Sequence, residues 1–247
     1  MSAIISAWKH IGETPLQCLM RVQEDYSIPE TKSCYTGRLD PMAQGIIVLL
    51  YGDYIHLSPH YNSKSKTYIF QCILGISTGS YDAMSMTSKC TSVTYGQALA
   101  YQEAMLDTIG NMKQSLPPCS AYRYKGKPLW IRYRDGTLPE VLPTKDVTVY
   151  GMASVYPHPV QISLEKYKEE CFDDLNDFKV QRATNNDFPV DTIMKNWKDI
   201  SAPTELYRLV FKATVSSGTF VRGLAHDVGA SLGIPSHAFR ITRVEIK

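Results

Sequence analysis

Two side chains stand where chemistry could use them. Asp40 lies in the loop Tyr35-Thr36-Gly37-Arg38-Leu39-Asp40-Pro41-Met42-Ala43-Gln44-Gly45, which opens directly into Ile46-Ile47-Val48-Leu49-Leu50. A turn followed by an unbroken apolar run reads as a buried strand, so the carboxylate is delivered to the mouth of a core strand. There it is either a turn residue bonding its own backbone ahead of Pro41 or an acid held out for reaction. Arg222 falls in the first turn of a helix expected after Ser216-Ser217-Gly218-Thr219. A helix dipole disfavours a cation at its N-terminus, so Arg222 calls for an anion nearby. That anion makes either a buried ion pair and nothing more, or a carboxylate held charged for attack.

A third chemical feature is the stretch Leu116 to Trp130, where Tyr122, Arg123, Tyr124, Lys125 and Lys127 interleave rings and cations. Such a segment either stacks on single-stranded nucleic acid or is a tyrosine-rich hairpin with its cations in water. Other chemistries find no footing. His56 and His60 have helical spacing, but Pro59 lies between them and no third ligand is evident, so they read as surface residues and no metal is expected. The six cysteines include no Cys-x-x-Cys pair, which fits reduced, structural thiols. No glycine-rich dinucleotide or phosphate loop occurs, and no Gly-x-Ser-x-Gly, so neither a nucleotide cofactor nor hydrolase chemistry is indicated.

The elements that must position these groups can be read from periodicity. Ala3 to Trp8 reads as a strand; Thr14-Pro15 then caps a helix running to about Tyr26, with Leu16, Leu19, Met20 and Gln23 in helical spacing. Pro29 to Thr36 reads as loop, Tyr68 to Leu74 as strand, and Ser77 to Asp82 as polar loop. Thr94 and Gln97 form a capping box for a helix with Tyr95, Leu99, Leu106 and Ile109 on one face, closed by Gly110. Val147 to Val155 is a loose strand. Tyr207, Leu209, Phe211, Ala213 and Val215 alternate as a half-buried one. The Arg222 helix carries Val221, Leu224, Ala225, Val228 and Leu232 on its buried stripe and ends at Gly233, and Phe239 to Ile246 is the last strand.

At 247 residues and 44% hydrophobic content the chain can build a sizeable core. No apolar run is long enough to span a membrane, and the N-terminus lacks the pattern of a signal peptide, so a cytoplasmic protein is expected, with a nuclear or mitochondrial one as the variant in a eukaryote. Between Pro157 and Glu205 stand ten acids against six bases, a local charge of −4 that leaves +6 on the rest of a chain whose total is +2. A basic body suits a polyanion partner. The acidic, amide-rich stretch reads as an inserted, partly helical excursion at about 157–205, with short apolar islands at Leu175 to Val180 and Ile193 to Trp197.

Four stretches, in this order and spacing, resemble the TruB-type pseudouridine synthases: Gly37-Arg38-Leu39-Asp40-Pro41-Met42-Ala43-Gln44-Gly45; Lys66-Thr67-Tyr68 with Leu74-Gly75; Pro117-Pro118 through Gly126-Lys127-Pro128-Leu129; and Ser217-Gly218-Thr219-Phe220-Val221-Arg222 with Asp227-Val228-Gly229. Departures are Tyr35, where the family usually has histidine, Phe220, where it has tyrosine, and Lys9 to Pro15, an eroded N-terminal signature. The resemblance implies an α+β fold, a mixed and largely antiparallel sheet flanked by helices with a central catalytic cleft. It implies one catalytic domain over 1–247, ending too soon for the PUA domain common in relatives, and a reaction without cofactor.

In the reaction so implied, Asp40 is the nucleophile, Arg222 its ion-pair partner, and Tyr68 the ring that stacks on a flipped uracil and moves a proton. Phe220 would pack on the base or the arginine, and Phe239 would line the pocket. Tyr35 would help dock RNA, while Arg123, Lys125 and Lys127 of the hairpin, with Lys64, Lys66, Arg240 and Arg243, would hold its backbone. The implied function is isomerisation of the T-loop uridine at position 55 of tRNA by a monomer that needs no membrane and no obligate protein partner. Two alternatives remain open: a non-catalytic RNA-binding or RNA-folding module that kept the cleft, and a synthase acting on another structured RNA such as ribosomal RNA.

Overall fold

A computed structural model describes residues 2–29, 32–181 and 189–247. In chain order the elements are β1 (Ala3–Lys9), α1 (Pro15–Asp25), β2 (Ser33–Thr36), β3 (Gln44–Tyr51), a 3-10 turn (Gly52–Leu57), α2 (Ser58–Ser63), β4 (Lys66–Leu74), β5 (Ile76–Thr78), β6 (Thr87–Cys90), α3 (Tyr95–Leu106) and β7 (Gly110–Ser115). There follow β8 (Arg123–Tyr124), β9 (Lys127–Pro128), α4 (Leu129–Arg134), β10 (Thr144–Ser154), β11 (Val160–Ser163), α5 (Leu164–Gln181), α6 (Val190–Asp199), β12 (Glu205–Val215), α7 (Val221–Ser231) and β13 (Ser236–Ile246). The main sheet runs β1-β3-β13-β4-β12-β10-β7, with β2 beside β3 and β11 beside β12. Its pairs are antiparallel except β13 with β3, so the mixed, largely antiparallel α+β architecture implied by the sequence is the one observed.

Alternation explains where β12 goes. Leu209, Phe211, Ala213 and Val215 point into one core with Phe70, Cys72 and Leu74 of β4, and the apolar stripe of α7 closes it through Val221, Leu224, Ala225 and Val228. On another part of the sheet Ile47 and Leu49 of β3 pack on Cys18, Leu19 and Val22 of α1. The capping boxes at Thr14 and Thr94 both form, with each threonine hydroxyl accepting from the backbone N–H three residues on.

Two helices bury a different face from the one expected. Leu16 and Met20 of α1 are exposed, and Cys18 and Val22 take the buried positions beside Leu19. In α3 the buried face is Ala98, Tyr101, Gln102 and Met105, while Tyr95 and Ile109 face solvent and Gly110 opens β7 rather than closing the helix. The polar tips are what made those positions look like surface. Tyr101 donates its hydroxyl proton to the Ala225 carbonyl (2.7 Å), and Gln102 donates from Nε2 to Ser154 Oγ and the Pro157 carbonyl, while its Oε1 is buried without a partner. Two local readings also change. Pro59 sits in the first turn of α2, where a missing N–H costs nothing, and Ser33 to Thr36 is strand rather than loop.

The acidic segment is helical as expected, but its apolar residues are not islands. Tyr167, Cys171, Leu175 and Phe178 form one stripe on α5 that packs on Val190, Ile193 and Trp197 of α6, and with them Ile73, Leu206 and Phe239 of the sheet make a core of their own. Residues 182–188 of that segment lie outside the described residues. Its acids are partly committed: Glu170 pairs with Arg208 (2.8 Å), and Glu170 and Asp174 pair with Arg240 (3.3 and 3.1 Å).

Strand β13 decides the site. Along it Phe239 faces Gln71 of β4 and Thr242 faces Ile69, three steps on one strand against two on the other, so a bulge inserts one residue there. Arg240 in the bulge has a left-handed φ of +45°. An extra residue reverses which side chains face which side of the sheet beyond it. Past the bulge β13 runs parallel to β3, with Arg243 opposite Gly45 and, on its other side, opposite Tyr68. Gly45 has φ +118°, and a Cβ there would collide with the Arg243 carbonyl, so this glycine lets the two strands close.

Candidate active site

The Asp40 loop is held by a buried lysine. Lys9, the last residue of β1, donates from Nζ to the carbonyls of Ala43 (2.6 Å), His10 (3.0 Å) and Pro41 (3.3 Å). Burial pushes its pKa down to about 8, although Glu13 and Asp40 pull the other way. A turn bond from Ala43 N–H to the Asp40 carbonyl (3.0 Å) completes the loop. Asp40 is thus both a turn residue, through its backbone carbonyl, and a half-exposed acid.

Arg222 enters from the start of α7 and is wholly buried. Its Nε donates to Asp40 Oδ2 at 2.7 Å, one terminal nitrogen donates to the Ser80 carbonyl, and the other to the Cys119 carbonyl at 3.0 Å. The anion that the helix start called for is therefore Asp40. A second carboxylate, Asp82, lies 3.8 Å from the same guanidinium. Burial opposes the charge on Arg222, but the two carboxylates outweigh it and hold its pKa above the ordinary arginine value. Burial raises Asp82 despite Arg222, the Ser80 hydroxyl bond (2.5 Å) and the Met84 N–H (3.0 Å). The sequence reading passed over Asp82 as part of a polar loop. Its only signal was the need of a buried guanidinium for more counter-charge than one half-exposed acid supplies.

A cavity of about 430 Å³ opens onto these groups, within the range of small-ligand sites. Asp40, Tyr68, Phe220 and Arg222 line it together, so four residues from three separate motifs converge. The Phe220 ring lies 5.8 Å from the Arg222 guanidinium carbon. Tyr68 is buried in the wall; burial raises its phenol pKa, and the neighbouring Arg243 charge opposes the rise. Lys66 also lines the cavity, buried, with Nζ donating to the carbonyls of Lys64 (2.6 Å) and Asn62 (2.7 Å).

Other expected residues lie elsewhere. Phe239 is 2% exposed and stands edge-on to Tyr167 at 5.1 Å in the α5–α6 core; the space it does border holds only about 10 Å³. The bulge gives its place in the Asp40 cavity to Ile241. Arg240, expected on RNA, is engaged by Asp174 and Glu170. Tyr35 lines an adjoining groove of about 360 Å³ that shares Gly37, Arg38 and Asn62 with the Asp40 cavity. The hairpin forms as β8 and β9 with Lys125 and Gly126 as its left-handed turn. Arg123 and Lys125 are exposed there, but Lys127 pairs with Asp135 at 2.6 Å. His56 and His60 are exposed, and among the described residues no group of histidine, cysteine and acidic side chains could hold a metal ion.

The fold has relatives among solved structures. Over 98% of its length the chain superposes on a Cbf5–Nop10–Gar1 complex with a TM-score of 0.57 at 14% identity, covering 48% of that chain. It does likewise on an H/ACA RNP bound to a substrate RNA containing 2'-deoxyuridine, with a TM-score of 0.55, 14% identity and 47% of that chain. The chain shares the fold of those proteins.

Residues 26–169, more than half the chain, match the profile of the TruB family pseudouridylate synthase (N terminal domain), and the chain belongs to that family. It is 26% identical over 238 residues to tRNA pseudouridine synthase B of Aquifex aeolicus (strain VF5), covering 95% of this chain and 65% of that protein. To the protein of the same name from Bacillus subtilis (strain 168) it is 25% identical over 244 residues, 98% of this chain and 64% of that one. To that of Xanthomonas campestris pv. campestris (strain 8004) it is 26% identical over 216 residues, 87% of this chain and 54% of that one. The chain thus spans between about half and two thirds of the length of these curated relatives.

Proposed function

We propose that this protein isomerises uridine to pseudouridine in RNA, with the T-loop uridine at position 55 of tRNA as its target. The observation that carries the reading is the Asp40–Arg222 pair: a half-exposed carboxylate with one oxygen on a buried guanidinium, in a cavity walled by Tyr68 and Phe220. The family, and relatives named as tRNA pseudouridine synthases, support the substrate class.

The reaction moves one bond and needs no redox partner. The N1–C1′ glycosidic bond breaks, uracil turns, C5 bonds to C1′, the C5 proton leaves and N1 gains one. Asp40 is the nucleophile in this proposal. Arg222 grips one oxygen of that carboxylate from its buried site and so fixes the acid at the cavity wall, which is what a nucleophile in a set position needs. Tyr68 and Phe220 offer the flipped base an apolar, stacking wall in place of its neighbours in RNA.

The test is tritium release from tRNA labelled at C5 of uridine, comparing wild type with Asp40→Asn. Release by wild type and background counts from the variant are expected. Release that persists in Asp40→Asn sinks the nucleophile assignment, and tight tRNA binding without release by either protein would instead identify an RNA-binding module.

A further inference from the structure

The cavity holds more positive charge than Asp40 can answer. Arg38, Lys66, Lys145, Arg222 and Arg243 line it, against Asp40 as the one acid among those residues. Asp40 is already engaged by Arg222, which is itself satisfied by two carbonyls. Arg243 is only partly satisfied. It is 0% exposed; its Nε donates to the Ile46 carbonyl at 2.6 Å, and its two terminal nitrogens are buried with no well-formed hydrogen bond, the Tyr68 phenol giving the group a looser polar contact.

Lys66 converges on the same place. A Cβ built on Gly37 would lie 3.3 Å from the Arg243 terminal nitrogen, 3.3 Å from Lys66 Cε and 3.8 Å from Lys66 Nζ, so both cations reach the side of Gly37 that its missing side chain leaves free. The charges acting on Lys66 are all positive: Arg243, Lys145 and Lys64 add to burial in pushing it down to about 8. Two buried cations with no carboxylate between them are unfavourable for folding, and a methionine could fill the space of Arg243 at less cost. A planar fork with free N–H groups matches the oxygens of a phosphate.

We propose that Arg243 and Lys66 form an anion slot in the wall of the Asp40 cavity that binds a non-bridging phosphate oxygen flanking the target nucleotide. The slot rests on the RNA-modifying reading above and deepens it. Arg243 pairs in register with Tyr68, so an anion held there is within a nucleotide's reach of a base stacked on that ring. The slot is closed in the free protein, since water does not reach the terminal nitrogens, and it opens as Lys66 Nζ exchanges its bonds to the Asn62 and Lys64 carbonyls for the phosphate oxygen. Arg243 then acts as a positioning residue: it fixes the backbone while the base turns.

The test is a cycle of protein variants against RNA variants, read by fluorescence anisotropy of a labelled tRNA T-arm stem–loop. Single methylphosphonates replace, one at a time, the phosphates on the 5′ and 3′ sides of the target uridine. With wild type, the neutral group at one of the two positions is expected to weaken binding about ten- to a hundredfold. With Arg243→Gln the unmodified RNA should be weakened by a similar factor and the methylphosphonate should add little. Lys66→Gln supplies the same cycle should Arg243→Gln fail to fold, and the wild-type arm needs no variant at all.

Losses that multiply, indifference of wild type to both methylphosphonates, or no binding of the RNA would each overturn the slot. Tritium release from the same RNA separates the two readings. A non-additive binding cycle in a protein that releases no tritium upholds the slot while the isomerase reading fails.

Discussion

Arg222 and Asp40, 182 residues apart in sequence, meet at 2.7 Å with opposite exposures: the guanidinium side chain is 2% exposed and the carboxylate side chain 37%. The cation is anchored by the Ser80 and Cys119 carbonyls and cannot follow its partner into solvent. The acid, with one oxygen on the guanidinium, stays on the cavity wall. An ion pair built this way stabilises little through its exposed half, but it fixes where one oxygen of the carboxylate stands.

Replacing that cation should separate chemistry from binding. In Arg222→Met the Asp82 carboxyl, already raised by burial, loses the charge that opposes the rise, and a buried acid is left unpaired. Tritium release should fall to background, RNA affinity should stay within about threefold of wild type, and urea unfolding should show a loss of about 3 kcal/mol. A large loss of affinity with normal turnover would contradict the ion-pair role.

Lys9 should make stability depend on pH. Folded, it gives up its proton near 8; unfolded, near 10.5. Between those values the unfolded chain binds more protons, so stability rises with pH, the cost of burying the charge being full below about 8 and absent above about 10.5. The difference amounts to about 3 kcal/mol. Lys66 acts in the same direction, so the measurement is wild type against Lys9→Met: the stability of wild type relative to the variant should grow from pH 7.5 to 10 by that order. A pH-independent difference would show that Lys9 is not buried as a charge.

Arg240 should prove to be a stability residue. It ties β13 to α5 through Asp174 and Glu170, at 35% side-chain exposure, so solvent screens part of the interaction. Arg240→Ala is expected to lower unfolding free energy by about 1 kcal/mol and to leave the anisotropy-measured affinity for the T-arm stem–loop unchanged. A tenfold affinity loss without destabilisation would restore it to the RNA surface.

The hairpin cations should not be equivalent. Arg123 and Lys125 are exposed at the turn, whereas Lys127 is held by Asp135. If the hairpin follows the RNA backbone, Arg123→Ala and Lys125→Ala each lower affinity and reduce the slope of log affinity against log salt by about 0.7 to 0.9. Lys127→Ala should change the slope least. Equal slopes for all three variants and wild type would place the hairpin off the RNA.

Much of the fold was legible because burial leaves a local trace. The alternation in β12, the capping boxes at Thr14 and Thr94, and the turn feeding β3 each involve residues within one element, and each formed where the pattern placed it. Where patterning failed, a polar tip hid a buried body, as with Tyr101 and Gln102 of α3, or an acidic composition hid an apolar stripe, as with Tyr167, Cys171, Leu175 and Phe178 of α5.

By itself, the sequence determined that Asp40 would be held at a strand mouth and that Arg222 would need an anion, because both follow from local geometry and a helix dipole. Their meeting, the arrival of Asp82 at the same guanidinium, and the burial of Arg243 beside Tyr68 were decided only by the tertiary structure. So was the exchange of Phe239 for Ile241, since one extra residue in β13 reverses the side chains beyond it. Such features depend on register between strands far apart in the chain, and no periodicity within a segment carries that information.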